Sequence, residues 1–359
     1  MRVFHVDRQR SWTGQINRTS LLLHGLRERG FDVGAIVHPG AQLGVRSREA
    51  GIEVIELPMR GWRFYPSVWR LGSELRRRGV DVLHAHGPRD HFLGVLAQRR
   101  GRVRHLVRTK HNHTALRSGP FSRWLFHRCS AIDAVSDFAA AALVKDGIAA
   151  ERITTIPDGV DLDRFTPRPR DAALAAAWGM APDDVVIGNV SSLHRRKGIE
   201  ELLRTFAVLA REPGRERLRC LLVGKQTDEW RALAAQLGVA DRVVLPGFHA
   251  DVPAALSLLD LYVLPSHEEA LGTSVLEAMA CEVPVVVGDV GGLRESVAPE
   301  VGVRVPPEDV PALTGAVRSL LDAPDRAGAL GRAGRVRVVE RYSATAMIDQ
   351  TAALYRGLG

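Results

Sequence analysis

The sequence predicts an α/β protein made of two doubly wound domains that face each other across a central cleft. Three observations carry this. Short apolar runs rich in β-branched residues alternate with helical patterns, the signature of parallel sheets layered with helices. The alternation occurs twice, once on either side of a proline-bearing break. The chain also has 359 residues, and at roughly 150 residues per domain that makes about two.

In chain order, the first half offers strands at 2–6, 32–37, 52–56, 80–85, 103–109, 131–135 and 152–156. The helix after the first strand carries Ile16, Leu21, Leu22 and Leu26 at the 3.6-residue spacing of one buried face. The pattern breaks in DLDRFTPRPRDAALAA, where Pro167 and Pro169 stand among alternating charges, so the linker is placed at 162–170. A helix restarts at about Asp171. The second half repeats the style with strands at 184–190, 218–223, 242–245, 259–264 and 283–287, and with Leu202, Leu203, Phe206 and Leu209 on one helix face. A closing helix at 343–356 takes Ser343 as its N-cap. The expected units are 1–164, 165–341 and a closing segment 342–359 that packs back on the first domain. Open parallel sheets bind ligands beyond the carboxyl ends of their strands, which is where chemistry is expected.

Hydrophobic residues make up 45% and charged residues 25%, which excludes a disordered or fibrous chain. No apolar run approaches the ~18–20 residues of a membrane span, and MRVFHVDRQRSW has no signal-peptide core, so a cytoplasmic protein is expected. Cys129, Cys220 and Cys281 lack CxxC spacing and read as core thiols. The net charge of +8 is unevenly spread: positions 1–170 hold 29 Lys and Arg against 16 Asp and Glu, a net +13, and the remainder is net −5. An anionic partner for the first half follows: nucleic acid, an acidic membrane surface or a phosphorylated substrate. Only four of the 49 basic residues are Lys, so GC-rich codon usage is a second source of the arginine excess.

Several segments carry candidate chemistry. In PSHEEALGTSVLEAMACEVPVVV (265–287) a strand ends, a loop holds Glu268 and Glu269, and Leu271, Gly272 and Thr273 open a helix carrying Glu277. Both carboxylates can face one ligand, and the amides at the helix start suit a phosphate. In VVIGNVSSLHRRKGIEELL (185–203) a strand leads into Arg195, Arg196, Lys197 and Gly198. Cations there suit a diphosphate, at roughly 1.5–3 kcal/mol per charge-assisted hydrogen bond; a solvated basic turn is the plainer reading. SWTGQINRT (11–19) places Gly14 at a strand-to-helix turn where backbone can approach a phosphate. No GxGxxG or GxxxxGK[ST] fingerprint occurs.

Ten of the thirteen histidines fall in the first half, and His84-Ala85-His86 and His111-Asn112-His113 each end a strand. No Glu, Asp or Cys ligand set accompanies them, so no metal site is expected. Segment 60–79 mixes Trp62, Phe64, Tyr65 and Trp69 with Arg60, Arg63, Arg70 and Arg76 to Arg78. That mixture suits an anionic bilayer surface; the alternative is that Trp69, Leu71 and Leu75 pack the helix on the sheet.

With these residues in hand, the chain resembles, nearly end to end, the retaining GT-B-fold glycosyltransferases of family 4 (glycosyl transferases group 1). EALGTSVLEAMACEVP, Glu269 to Pro284, looks like that family's signature with seven residues between its two glutamates. IPDGVDLDRF (156–165), RRKG (195–198), PGF (246–248) and GGLRE (291–295) support it. The resemblance implies a donor nucleotide-diphosphate sugar held mainly by the second domain. It gives Glu277 the ribose hydroxyls and Glu269 the transferred sugar. Lys197, with Arg196 or Arg195, neutralises the diphosphate, assisted by amides near Gly14 and at Leu271 to Thr273. His111, ending Thr109-Lys110-His111, is placed near the anomeric carbon and the acceptor, so His111, Glu269 and Lys197 form the implied catalytic set.

Ser191 and Ser192 stand where the family has Gly-Arg, and Lys225 and Gln226 where it has Asp-Gly. The implied activity is metal-independent and cofactor-free transfer from a nucleotide sugar to an envelope glycan or lipid-linked acceptor, at the inner membrane face through Arg60 to Arg78, with no nucleic acid. Two alternatives are a GT-B-fold sugar-nucleotide epimerase, which needs carboxylates in a first half that offers mostly His and Arg, and a basic nucleic-acid-binding protein, for which no motif is present.

Overall fold

The computed structural model describes residues 1–11, 13–59, 64–112, 119–225 and 227–359. Trp12, Arg60, Trp62, Arg63, His113 and Gln226 lie outside the described residues, as does the side chain of Phe64. The chain divides into two units, Met1–Gly159 with Ala344–Gly359, and Val160–Ser343.

The first unit runs β1 (Arg2–Asp7), α1 (Gly14–Glu28), β2 (Asp32–Val37), α2 (Gln42–Glu49), β3 (Glu53–Glu56), α3 (Phe64–Arg78), β4 (Val82–Ala85), α4 (Pro88–Gly101), β5 (His105–Lys110), α5 (Gly119–His127), β6 (Ala131–Ala134), α6 (Asp137–Lys145) and β7 (Ile153–Thr155). Its seven strands are parallel in the order β3-β2-β1-β4-β5-β6-β7. Helices cover both faces, so the strands read as continuous apolar runs rather than alternating ones. One face presents Val3, Val33, Ala35, Val82 and Val107 to α1; the other presents Phe4, Val6, Leu83, Ala85 and Leu106 to α3 and α4.

The second unit runs α7 (Ala172–Ala177), β8 (Val185–Val190), α8 (Ile199–Leu209), β9 (Leu218–Val223), α9 (Asp228–Gln236), β10 (Val243–Gly247), α10 (Val252–Leu256), β11 (Leu261–Leu264), α11 (Thr273–Ala280), β12 (Val285–Gly288), α12 (Leu293–Ser296), β13 (Val303–Val305), α13 (Val310–Leu321) and α14 (Pro324–Arg341). Its sheet is parallel in the order β10-β9-β8-β11-β12-β13. The sixth strand, β13, escaped the sequence reading because three residues are too few to display a pattern. The last helix, α15 (Ala344–Arg356), belongs to the first unit, where Met347, Ile348, Ala352 and Tyr355 are buried against α1.

In both units the strand order reverses once, between β1 and β4 and between β8 and β11. Loops leaving the carboxyl ends of those neighbouring strands diverge, and the space between them is where such sheets take ligands.

Two local readings are corrected. Trp69 is 63% exposed and leaves the helix packing to buried Leu71 and Leu75, because it falls on the outer face of α3. Cys129 and Cys220 are buried, but Cys281 is only half-buried, since it caps the outer end of α11. The Asp161-Leu162-Asp163 triplet is a turn: Asp161 Oδ1 accepts from the backbone N–H of Asp163 and of Arg164, each at 3.1 Å.

Candidate active site

In the second unit, Lys197 and Glu269 meet at the switch point. Lys197 follows β8 and Glu269 follows β11, and their side chains form an ion pair, 15% and 16% exposed. Two glycines make the approach possible. Gly198, at φ +70, sits so close to the end of β11 that a Cβ there would lie 2.2 Å from the Pro265 carbonyl oxygen. Gly272, at φ +88, caps α11 and would collide with Leu293. Left-handed backbone and the absence of a side chain are both needed at these positions. A backbone bond from His267 N–H to the Arg196 carbonyl, at 2.9 Å, ties the two loops together.

Glu277 lies on the second turn of α11, half-buried, with no hydrogen-bond or ion-pair partner among the described residues. Burial pushes its carboxyl up to about 7, opposed by the charge of Arg164. Tyr262 sits beneath, donating its hydroxyl to Ser274 Oγ at 2.9 Å. Leu271, Gly272 and Thr273 form the start of α11, whose opening amides point out of the positive helix end.

The flanking arginines are used differently. Arg196 is exposed and 3.8 Å from Glu268, at the edge of the site. Arg195 pairs with Glu200 and Glu229 on the α8 and α9 side. The position of the family arginine is held by exposed Ser192, while Ser191 donates to Asn189 Oδ1 at 2.5 Å.

In the first unit the matching switch point lies between β1 and β4. Gly14 is the first residue of α1, after Thr13, whose hydroxyl accepts from Ile16 N–H at 3.3 Å. A Cβ at Gly14 would meet nothing within 4 Å, so protein packing does not demand glycine there. His111 follows β5, half-buried, with its Nε2 3.2 Å from His86 Nδ1. Burial and the charges of Arg18 and Arg108 keep its imidazole well below its ordinary range, hence neutral.

Strand alternation and parallel register put more groups on this sheet face than the sequence reading found. His5 is opposite His84 in the β1–β4 register, and Thr109 is opposite Asp133 in the β5–β6 register. His5 Nδ1 lies 2.9 Å from His86 Nε2, and Tyr355 of α15 reaches both His84 and His5. Nitrogens of His5, His84 and His86 fall within 4.8 Å of one another, the one candidate metal group among the described residues. Yet every one of their six ring nitrogens already has a hydrogen-bond partner.

Carboxylates are present too. Asp7 ends β1, buried, and accepts from Gln15 Nε2 at 2.8 Å. Asp90, in the first turn of α4, is pushed up to about 7 by burial and by Asp7. The first half thus sets buried carboxylates among its histidines and arginines. Asp7 was legible as the polar end of an apolar strand, whereas Asp90 becomes notable only once α4, which carries it, packs on the sheet.

Sequence comparison matches residues 172–337 to Glycosyl transferases group 1 and residues 12–164 to Glycosyltransferase Family 4. A D-inositol 3-phosphate glycosyltransferase from Geodermatophilus obscurus is 32% identical over 85% of this chain and 72% of its own. A GDP-mannose-dependent alpha-(1-6)-phosphatidylinositol monomannoside mannosyltransferase from Mycolicibacterium smegmatis is 34% identical over 68% of each chain. Among solved structures, Anabaena Alr3699/HepE in complex with UDP-glucose superposes with a TM-score of 0.89 at 21% identity, covering 99% of this chain and 100% of that one.

Proposed function

The chain belongs to the glycosyl transferases group 1 and is a glycosyltransferase of GT-B fold; from that premise we propose that it moves a sugar, with retention, from a nucleotide-diphosphate sugar to an envelope glycan or lipid-linked acceptor. The observation that carries the donor half is the Lys197–Glu269 pair at the β8–β11 switch point, with unpartnered Glu277 on the next helix. Negative charge grows on the diphosphate as its bond to the sugar breaks. A fixed cation and helix-start amides stabilise that charge, so Lys197, Arg196 at the rim and the Leu271 to Thr273 turn supply what a divalent metal would otherwise supply. Glu269 takes sugar hydroxyls and Glu277 the ribose. In front-face transfer the acceptor oxygen bonds to the anomeric carbon on the side the phosphate leaves, and its proton passes to the leaving phosphate oxygen.

The acceptor is assigned to the first unit, whose sequence is strongly basic. Both relatives are named for acceptors that carry a phosphate. Exposed Tyr65 and Trp69 on α3, with Arg100 over the Trp69 ring at 4.3 Å, extend this reading to peripheral contact with an anionic membrane on the cytoplasmic side. Among the described residues no helix is long and apolar enough to cross a membrane.

Thermal stabilisation by UDP-, GDP- and ADP-sugars tests the donor assignment. A ligand bound only by the native state at 100 times its Kd adds about 2.7 kcal/mol. One nucleotide series should stabilise the protein, with EDTA making no difference, and Lys197→Ala and Glu269→Ala should lose the effect. Unchanged donor turnover in both variants would sink the assignment.

A further inference from the structure

We propose that a polarised hydrogen-bond chain, running from Asp133 through Thr109, His84, Tyr355, His5 and His86, holds His111 in the tautomer with the proton on Nε2 and a bare Nδ1. This rests on the reading of His111 as a sugar-contacting residue and adds what that contact is: Nδ1 accepts a hydrogen bond from a hydroxyl of the sugar or acceptor, and cannot donate one.

The direction of the chain follows link by link. Arg18 Nη2 donates to Asp133 Oδ2 at 2.6 Å, and burial raises the Asp133 carboxyl only to about 6, so it is ionised at pH 7.5 and accepts. Thr109 has one hydroxyl proton and gives it to Asp133 Oδ2 at 3.0 Å. The Thr109 oxygen must then accept from His84 Nε2–H, 2.6 Å away. A neutral imidazole has one N–H, so His84 Nδ1 is bare and accepts from the Tyr355 hydroxyl. The Tyr355 oxygen in turn accepts from His5 Nε2–H at 3.4 Å, leaving His5 Nδ1 bare. His86 Nε2–H donates to it at 2.9 Å. His86 Nδ1 is then the acceptor facing His111 Nε2 at 3.2 Å, and that contact is a hydrogen bond only if His111 Nε2 carries the proton.

Neutrality of all four rings is what lets one carboxylate set every link. His5 is pushed down to about 3, and His84, His86 and His111 well below their ordinary range, chiefly by burial, with the Arg18 charge adding to it. No ring nitrogen of His5, His84 or His86 is left over for a metal. His86, His5 and Tyr355 are therefore positioning residues acting through His111.

The test is two-bond proton–nitrogen correlation on the full chain labelled with 15N-histidine, at pH 7.5. His111 should show protonated Nε2 and unprotonated Nδ1. In Tyr355→Phe the hydroxyl that sets the direction is gone, so His5 and His86 can reverse and His111 should gain the Nδ1–H form. With it kcat should fall roughly 3–10-fold, the worth of one hydrogen bond, at unchanged donor KM. Thr109→Val breaks the chain at a different link and should reverse it in the same way if Tyr355→Phe does not fold. An Nδ1–H His111 in the unmodified protein, a tautomer indifferent to both substitutions, or stoichiometric Zn2+ capture by the three buried histidines would overturn the proposal. His111→Ala separates the two readings: full activity in that variant removes the sugar contact and leaves the tautomer chain standing, whereas inactivity with the opposite tautomer does the reverse.

Discussion

Lys197 and Glu269 are 72 positions apart in sequence and ion-paired at the gap between the carboxyl ends of β8 and β11. The cation assigned to the diphosphate is thus held by the carboxylate assigned to the sugar. A donor that brings its own negative charge to Lys197 frees Glu269 for hydroxyl groups. Lys197→Ala should lower kcat by roughly 10²–10³, the loss measured when one transition-state charge contact is removed. Lys197→Arg should restore part of it; steady-state kinetics on the donor found by the stability screen decides.

Glu277 gives a pH signature. Its carboxyl is near 7 folded against 4.5 as the ordinary value. The folded protein therefore holds the proton while the unfolded chain loses it, and stability falls as pH rises from about 4.5 to about 7, then levels. Glu277→Gln removes this penalty, so its Tm should exceed that of the unmodified protein at pH 8 and match it at pH 4.5. The same variant should bind donor more weakly at pH 8, because a neutral amide is the poorer acceptor for ribose hydroxyls.

Gly198→Ala should damage the site without touching a reacting group. The new methyl would lie 2.2 Å from the Pro265 carbonyl in left-handed backbone. A cost of about 1–3 kcal/mol is expected from strain of this kind, with Lys197 displaced; chemical denaturation and donor affinity should both register it.

Arg18 is a buried cation of the first unit, 1% exposed, bridging Asp133 at 2.6 Å and Asp158 at 2.8 Å and donating to the Ile156 carbonyl. Arg18→Met leaves two carboxylates without their partner in the core and should cost about 3–5 kcal/mol in urea unfolding. The Asp158 link also anchors the IPDGVD segment to α1.

Trp69→Ala and Tyr65→Ala remove exposed rings, so Tm should barely change. Sedimentation with anionic vesicles should fall, and neutral vesicles should bind neither form. Equal binding of the unmodified and doubly substituted protein to anionic vesicles would discard α3 as the membrane surface.

Much of the proposed donor site was legible because it is compressed into two short segments. Glu269 and Glu277 flank one helix start, and RRKG follows one strand, so local spacing conveys their chemistry. The separate fates of Arg195 and Arg196 were not legible. Whether a surface guanidinium turns to Glu229 or to Glu268 depends on where α9 and the loop after β11 come to lie. The first unit's network was even less visible. His5 is one polar residue in an apolar strand and Tyr355 one residue of a closing helix; neither carries a local signal.

The sequence by itself determined the class of this protein. Short β-branched apolar runs alternating with 3.6-residue periodicity gave the α/β units, and the carboxyl-end motifs gave the proposed chemistry, because both are encoded by neighbours along the chain. Tertiary structure alone decided which polar groups share protons and charge. Parallel register places His5 beside His84 and Thr109 beside Asp133, and α15 returns Tyr355 to the same sheet face. In that buried environment an unpaired hydrogen-bonding group is costly, so most of them find a partner. The state of His111 is accordingly set by residues up to 244 positions away in the chain, through contacts that no local pattern records.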